Sequence, residues 1–289
     1  MANSVPRKLL NLSRNKALTT TVPIALFDSG YGGLTILDSV RRLMPEYDYI
    51  YLGDNARAPY GTRSFDIVYK YTREAVVRLF DMGAPLIVLA CNTASAKALR
   101  NIQQCDLPNI DASRRVLGVI RPSVEAVGDV TRSRVVGVMG TQGTVDSMSY
   151  PIEIAKINPD IRVFQQACPM WVPLVENGEY DKPGADYFVR KYVDELMSQS
   201  ADIDTIILAC THFPLLRKKI EACLPANVTL LCQGDIVARS LKDYLQRHTE
   251  MQSRLTQGGS VRFYTTENPE KFGSMARLFF DGDIQISHL

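Results

Sequence analysis

Residues 85–94 read Pro-Leu-Ile-Val-Leu-Ala-Cys-Asn-Thr-Ala. Residues 204–213 read Asp-Thr-Ile-Ile-Leu-Ala-Cys-Thr-His-Phe and follow the same pattern. In both, a continuous run of mostly aliphatic residues stops at Ala-Cys, and small polar side chains follow. Such a run predicts a strand buried on both faces, as in a parallel sheet. Cys91 and Cys210 should then stand at the carboxyl ends of their strands, where open α/β sheets place their ligand crevice. Two matched thiols predict a pair that acts on one small substrate.

The segments that precede these strands also match each other. A strand pattern at 22–27 leads into Asp-Ser-Gly-Tyr-Gly-Gly at 28–33, and a strand pattern at 134–139 leads into Gly-Thr-Gln-Gly-Thr at 140–144. A strand, a Gly-rich loop and a helix together present free backbone N–H groups to an anion. From this repeat we predict an α/β fold of two similar domains, with mainly parallel sheets that face each other across a central cleft.

The same pattern suggests domain limits. Residues 1–21 hold four basic residues, no acidic residue and no periodic apolar face, so we expect a flexible basic N-terminal extension. The first domain is expected at 22–117 plus 229–289, and the second at 118–228. Helices are expected at 64–82, 94–104, 123–128 and 186–198. Ser64 is the expected N-cap of the first of these, and Asn92 or Thr93 that of the second.

Composition narrows the class of protein. The chain has 33 basic and 31 acidic residues and no long basic stripe, so nucleic acid is a weak candidate partner. No segment has the apolar core of a signal peptide or approaches the ~18 apolar residues of a membrane span. We therefore expect a cytoplasmic protein, without membrane association, whose six cysteines are reduced. No C-x-x-C pair occurs and the three histidines lack ligand spacing, so we expect no metal site.

The cysteines have a plain interpretation and a functional one. A free cysteine at the end of a buried strand is usually a small hydrophobe, and this is what we expect of Cys105, Cys223 and Cys232. Cys91 and Cys210 differ, because hydrogen-bonding residues and a helix start follow each of them. A helix N-terminus lowers the pKa of a thiol from about 8.5 toward neutrality. Cys168 has a weaker form of this context.

Other polar residues also allow two interpretations. Asp28 and Ser29 could cap a helix, or Ser29 and the loop amides could bind a carboxylate while Asp28 faces an ammonium or a thiol. His212 could be the acid or base partner of Cys210, or a structural histidine. Taken singly, Asp54 and Glu176 look like solvated charges, and Tyr60 could serve turn packing.

Taken together, these motifs resemble those of the glutamate racemases of bacterial cell-wall synthesis. The matching motifs are Asp28-Ser29-Gly30 with Gly32-Gly33, Leu-Gly-Asp54, Pro59-Tyr60-Gly61, Ala-Cys91-Asn92-Thr93, Cys168-Pro169 and Cys210-Thr211-His212. The resemblance covers about 22–282. The sequence departs from the family pattern at Ala209, where glycine is usual, and in a few extra residues around 111–115.

The resemblance implies racemisation of L-glutamate to D-glutamate for peptidoglycan synthesis, by 1,1-proton transfer between two cysteines and without a cofactor. It implies that Cys91 removes the proton of the D isomer and Cys210 that of the L isomer, assisted by Asp28 and His212. The implied substrate-binding residues are Asp28, Ser29, Tyr60, Gly61, Asn92, Thr93, Thr211 and His212. Asp54, Glu176 and Cys168 are candidates for a supporting role behind them.

The resemblance also bears on partners. Some racemases of this family carry an N-terminal extension linked to activation by a cell-wall precursor, so an anionic precursor is a candidate regulator that could be attracted by residues 1–21. A homodimer is left open. Two rival classes remain on the residues alone. A cysteine hydrolase or transferase could use Cys210 with His212, but it leaves Cys91 without a task. A two-lobed amino-acid binding protein would share the cleft but needs no thiols.

Overall fold

The computed structural model describes residues 21–289, so the expected extension at 1–20 lies outside the described residues. The strands are β1 (Ile24–Asp28), β2 (Tyr49–Gly53), β3 (Leu86–Leu89), β4 (Arg115–Gly118), β5 (Val135–Gly140), β6 (Arg162–Ala167), β7 (Thr205–Ala209), β8 (Thr229–Leu231), β9 (Val261–Thr265) and β10 (Ile286–His288). The α-helices are α1 (Leu34–Leu43), α2 (Phe65–Asp81), α3 (Asn92–Lys97), α4 (Leu99–Asn101), α5 (Leu107–Ile110), α6 (Ile120–Val130), α7 (Gln142–Asp146), α8 (Ser149–Ile157), α9 (Trp171–Glu176), α10 (Pro183–Met197), α11 (Arg217–Glu221), α12 (Gln233–Arg247), α13 (Thr249–Gln252) and α14 (Pro269–Ala276).

The strands form two sheets in which every pairing is parallel. The first sheet has the order β10-β9-β2-β1-β3-β4, and the second has the order β6-β5-β7-β8. The core of the first sheet, β2-β1-β3-β4, therefore repeats in the second sheet strand for strand. The predicted α/β fold, with two similar domains built on parallel sheets, is confirmed.

The two cysteine strands lie inside their sheets, as their continuous apolar runs predict. Every residue of β3 and of β7 is buried. The neighbouring strand β1 shows how both faces are covered: Ile24 and Leu26 belong to one hydrophobic cluster, and Ala25 and Phe27 to another. Because side chains alternate across a strand, a strand between two helical layers must be apolar at every position.

The expected return of the chain to the first domain at residue 229 is wrong for β8. This strand pairs with β7, with Thr205 opposite Thr229, and so completes the second sheet. The chain returns to the first domain through α12, which packs on both α1 and α6, and β9 then pairs with β2. The physical reason lies in the repeat, because β8 occupies beside β7 the place that β4 occupies beside β3.

The helix predictions hold for the long helices and fail after Cys91. Ser64 is the N-cap of α2, although its side chain forms no capping hydrogen bond. The helix expected at 94–104 is instead a series of short pieces, of which the first, α3, ends at Lys97 and is followed by a π-helical turn at Ile102–Asp106. Its N-cap is Cys91 itself, and neither Asn92 nor Thr93 has that role. The thiol sulfur thus takes the place of a capping oxygen.

Candidate active site

A cavity of about 140 Å³ lies where the carboxyl ends of the two sheets meet. Its lining includes residues that lie one or two positions after the ends of β1, β3, β5 and β7, and both cysteines are among them. Sites for drug-sized ligands occupy roughly 300–1,000 Å³, so this cavity suits a much smaller molecule. The predicted site residues in the lining are Ser29, Tyr60, Gly61, Cys91, Asn92, Thr93, Cys168, Glu176, Cys210, Thr211 and His212.

Cys91 lies in surroundings that favour the protonated thiol. The register of β1 and β3 pairs Phe27 with Leu89, which brings Ser29 Oγ to 3.4 Å from Cys91 Sγ. Burial raises the pKa of Cys91 to about 12, and the negative charge of Asp28 adds to this, whereas the hydrogen bonds from Ser29 and from the Ala94 N–H lower it. The expectation that the helix start lowers the pKa of Cys91 is therefore wrong, because one amide at 3.5 Å does not offset burial.

Cys210 lies beside an imidazole instead. Its Sγ is 3.9 Å from His212 Nδ1, and the other ring nitrogen, Nε2, is 2.9 Å from Glu176 Oε1. Burial alone would lower the pKa of His212, but the hydrogen bonds to Cys210 and Glu176 raise it to about 10. At neutral pH the ring is then an imidazolium, which places a positive charge next to Cys210. Glu176 is thus no solvated surface charge.

Asp28 lies one layer behind the cavity. Its Oδ2 accepts a hydrogen bond from the Gly30 N–H at 2.8 Å, and its Oδ1 accepts one from Thr211 Oγ1 at 3.4 Å. Burial raises the pKa of Asp28, while the charge of His212 and the loop amides lower it. Asp28 is not among the residues that line the cavity, and its contact with substrate stays a prediction.

The Gly-rich loop after β1 serves a close approach between the domains. A Cβ atom on Gly32 would lie 2.3 Å from Thr211 Oγ1 and 2.5 Å from His212 Nδ1. Real Cβ contacts are not that short, so the glycine allows the loop to pack directly on the residues that follow Cys210. The loop therefore positions His212, a task that the anion-binding interpretation did not include.

Asp54 supports the wall of the cavity that holds Tyr60. It is buried and accepts hydrogen bonds from the Tyr60 hydroxyl, from Arg57 Nε at 2.7 Å and from Thr266 Oγ1 at 2.8 Å. A supporting role for Asp54 in the reaction stays a prediction. Cys168 lines the cavity but bonds only to the Gln166 carbonyl, and burial raises its pKa well above the usual range.

Sequence reasoning missed part of the lining. Thr141 is the first residue after β5. Its Oγ1 lies 2.9 Å from Thr93 Oγ1, so the two hydroxyls link the two domains at the cavity wall. A signal for it existed, because Thr141 follows β5 as Ser29 follows β1. The other lining residues that were not predicted are Ala58, Pro59, Thr62, Gln142, Pro169, Val172 and Pro173.

Two further features concern only residues 21–289. Within them, no group of three or more His, Cys, Asp or Glu side chains is arranged to hold a metal ion. No helix in this part of the chain has the length and apolar character needed to cross a membrane.

Comparison with known proteins fits this site. The model of the family described as Asp/Glu/Hydantoin racemase matches residues 35–241. The chain belongs to this family, and it is an amino-acid racemase. A relative from Roseobacter denitrificans, named glutamate racemase, is 40% identical over 274 residues, which cover 91% of this chain and 98% of the relative.

Solved structures agree with that assignment. The glutamate racemase isoform RacE1 from Bacillus anthracis aligns with a TM-score of 0.85 at 32% identity, covering 93% of this chain and 97% of that one. A glutamate racemase from Francisella tularensis, solved in complex with D-glutamate, aligns with a TM-score of 0.83 at 31% identity, covering 93% and 98%.

Proposed function

We propose that the enzyme interconverts L- and D-glutamate without a cofactor, by proton transfer at Cα between Cys91 and Cys210. The observation that carries the proposal is that two thiols from equivalent strands of two domains line one small cavity. The proposal that glutamate is the substrate rests on the relatives named above, which are named glutamate racemases, and on the Francisella enzyme, which was solved in complex with D-glutamate.

The chemistry needs more than a base. An α-proton between an ammonium and a carboxylate is very weakly acidic, so the charge that develops on the carboxylate must be stabilised by preorganised donors. The candidates are the polar lining side chains of Ser29, Asn92, Thr93 and Thr211, and Tyr60 and Gly61 also line the cavity. Inversion also needs a base on one face of Cα and an acid on the other. Two thiols that exchange roles meet this need.

The charges around the cavity differ between its two thiols. The imidazolium of His212 lies beside Cys210, whereas burial raises the pKa of Cys91 to about 12 and keeps it a thiol at neutral pH. In our proposal Cys210 removes the proton of L-glutamate and Cys91 donates the proton that forms D-glutamate. This assignment gives the proton-accepting role to the thiol beside the cation and the proton-donating role to the thiol whose pKa burial raises. Asp28 assists from behind, where its Oδ1 accepts a hydrogen bond from the hydroxyl of Thr211, the residue next to Cys210.

A cysteine hydrolase deserves comparison, because Cys210, His212 and Glu176 form a hydrogen-bonded series like a nucleophile, its base and an orienting carboxylate. Such a mechanism would leave Cys91, which lines the same cavity, without a task. The racemase proposal therefore accounts for more of the site.

The test uses purified protein and L-glutamate in buffer with no added cofactor, with circular dichroism to follow the loss of optical activity. Racemisation should persist after dialysis against EDTA and after hydroxylamine treatment. Activity that is lost and then restored by pyridoxal phosphate would contradict the cofactor-free mechanism. A covalent adduct on Cys210 during turnover would favour the hydrolase. L-Aspartate serves as the control substrate, and the double variant Cys91→Ser, Cys210→Ser as the control protein.

The wider role belongs to the same proposal. We propose that the product supplies peptidoglycan synthesis in the cytoplasm. Growth of a D-glutamate-requiring bacterial strain on this gene, without added D-glutamate, would support the role, and failure of the active protein to restore growth would contradict it. Assembly as a homodimer also stays a proposal, which light scattering on the purified enzyme would test.

The last part of the proposal concerns regulation by an anionic cell-wall precursor. The Escherichia coli glutamate racemase was solved with L-glutamate and the activator UDP-MurNAc-ala, at a TM-score of 0.71 and 25% identity to this chain. We propose that a similar anion activates this enzyme, attracted by the basic residues in 1–21. Deletion of residues 1–20 should then weaken the response to the nucleotide. An unchanged response would remove this part.

A further inference from the structure

Gln233 belongs to a buried ring of hydrogen bonds just behind the cavity. Asn92 Nδ2 donates to Gln233 Oε1 at 2.6 Å, Gln233 Nε2 donates to the Tyr150 hydroxyl at 2.9 Å, and that hydroxyl donates to Asn92 Oδ1 at 2.8 Å. Each member gives one hydrogen bond and receives one, so the ring closes in a single direction. Of the three side chains, only Asn92 lines the cavity.

The ring joins parts of the molecule that are far apart in sequence. Asn92 begins α3 in the first domain, Tyr150 lies on α8 in the second, and Gln233 begins α12, which packs on helices of both. Gln233 is 3% exposed, and its Nε2 also lies 2.8 Å from Ser123 Oγ on α6. Both hydrogens of its amide therefore have partners. Burial raises the pKa of Tyr150, which keeps its hydroxyl a donor.

The ring fixes which way the Asn92 amide points. Its oxygen must accept from Tyr150 and its nitrogen must donate to Gln233, so exchange of the two atoms would set donor against donor. An amide nitrogen carries two hydrogens, and only one is used in the ring. Since Asn92 lines the cavity, the second N–H is the group that it can offer to a bound substrate.

We infer that Gln233 is a positioning residue of the racemase: it holds Asn92 so that the free N–H of the amide meets the substrate carboxylate. This inference rests on the proposed function, in which Asn92 contacts glutamate. A hydrogen bond to a charged group has a net value of about 1.5–3 kcal/mol. Loss of the orientation should therefore lower kcat/KM by about tenfold or more.

A double-mutant cycle tests this coupling. Gln233→Ala, Asn92→Ala and the double variant are compared by kcat and KM in both directions of glutamate racemisation. If Gln233 acts through Asn92, Gln233→Ala lowers kcat/KM about tenfold alone and changes little once Asn92 is alanine. Additive losses would show that the two side chains act separately, and would overturn the inference.

A second variant tests the same coupling if Gln233→Ala folds poorly. Tyr150→Phe removes one hydroxyl from the same ring and keeps the aromatic packing, so its effect should also vanish in the Asn92→Ala background. Asp48→Ala is the matched control. Asp48 is likewise 3% exposed and accepts several hydrogen bonds, but it precedes β2 at the end of the sheet away from the cavity. It should lower the melting temperature and leave kcat/KM unchanged.

The outcomes separate the two claims. A wild-type enzyme that does not racemise glutamate would overturn the proposed function and this inference with it. An active wild type with additive losses in both cycles would overturn only the inference. Loss of activity in Asp48→Ala that matches the loss in Gln233→Ala would also count against it, because general destabilisation would then explain both.

Discussion

Cys91 and Cys210 occupy equivalent positions in two equivalent sheets, yet their surroundings differ in charge. Cys91 caps α3, takes its hydrogen bonds from a serine and one amide, and has the carboxylate of Asp28 nearby. Cys210 has the imidazolium of His212, held by Glu176. The strands place the two thiols equivalently, and the charged groups packed around each thiol make their surroundings different.

This difference gives the two thiols unlike tasks. In the proposed mechanism the thiol beside the His212 imidazolium removes the proton of L-glutamate, and the other thiol removes that of D-glutamate. The comparison therefore predicts that variants on the two sides affect the two directions unequally.

The largest effect is expected from the cysteines themselves. Cys91→Ser and Cys210→Ser should each lower racemisation by about 10²–10⁴-fold, the usual value of a positioned acid or base. A serine hydroxyl rarely supplies an alkoxide at neutral pH but can still donate a proton. Cys91→Ser should then spare abstraction from L-glutamate more than from D-glutamate, and Cys210→Ser the reverse, as measured by exchange of the α-proton with solvent. Equal effects on both isomers would contradict the assignment of one thiol to each face.

The next effect is expected at Gly32. A methyl group there would meet Thr211 and His212 at distances that force one of them to move. Misplacement of a catalytic group by about 1 Å can cost up to about 10²-fold in rate. Gly32→Ala should therefore damage abstraction from L-glutamate, the Cys210 reaction, more than abstraction from D-glutamate. Gly184→Ala is the control, because a Cβ at Gly184 meets nothing within 4 Å. A loss shared equally by both directions would go against the proposed role of the loop.

A moderate effect on pH dependence is expected from Glu176→Gln. The carboxylate helps to raise the pKa of His212 from 6.5 to about 10. Without it, the alkaline limit of kcat/KM for L-glutamate should move down by about one pH unit or more. The limit for D-glutamate should move less, since Cys91 has no contact with this ring in the hydrogen-bond network. A pH profile that does not change would indicate that His212 does not set the state of Cys210.

The same pair gives a prediction for stability. His212 has a higher pKa in the folded protein than its ordinary 6.5, so its contribution to the free energy of unfolding is complete below that pH. The contribution is lost as pH rises from 6.5 to about 10. Melting temperatures of the wild type should fall across this range more steeply than those of Glu176→Gln. Parallel curves for the two proteins would contradict the linkage.

The smallest effect is expected from Cys168→Ser. This thiol lines the same cavity, but burial keeps it protonated and its only hydrogen bond goes to a backbone carbonyl. The near-isosteric change should leave racemisation close to the wild-type rate in both directions. A loss comparable with that of Cys91→Ser would show that three thiols, and not two, take part.

The sequence predicts the sheets and the two thiols well, because continuous apolar runs and a repeated order of motifs are local signals. It also contains the signal for β8 and Thr141, since each occupies the place that the repeat assigns to it. The protonation preference of Cys91 is not local. Burial of the thiol and the charge of Asp28 decide it, and both depend on packing.

Gln233 marks the limit of sequence reasoning. It lies 141 positions from Asn92 and 83 from Tyr150, and no local pattern around it points to a site. Its role follows only from the fold, which places the start of α12 where the two domains meet. Three side chains from three separate helices form this hydrogen-bonded ring, and such an arrangement leaves no periodic pattern in the sequence.

Isotope transfer from solvent shows whether two thiols act on opposite faces of one substrate. L-Glutamate is incubated with the enzyme in D2O, and both isomers are recovered at low conversion. We expect deuterium at Cα of the D-glutamate formed, while the recovered L-glutamate stays largely unlabelled, because the proton removed and the proton delivered belong to different groups. Deuterium in both isomers, or return of the original proton to the product, would indicate a single base that serves both faces and would rule out the two-thiol mechanism.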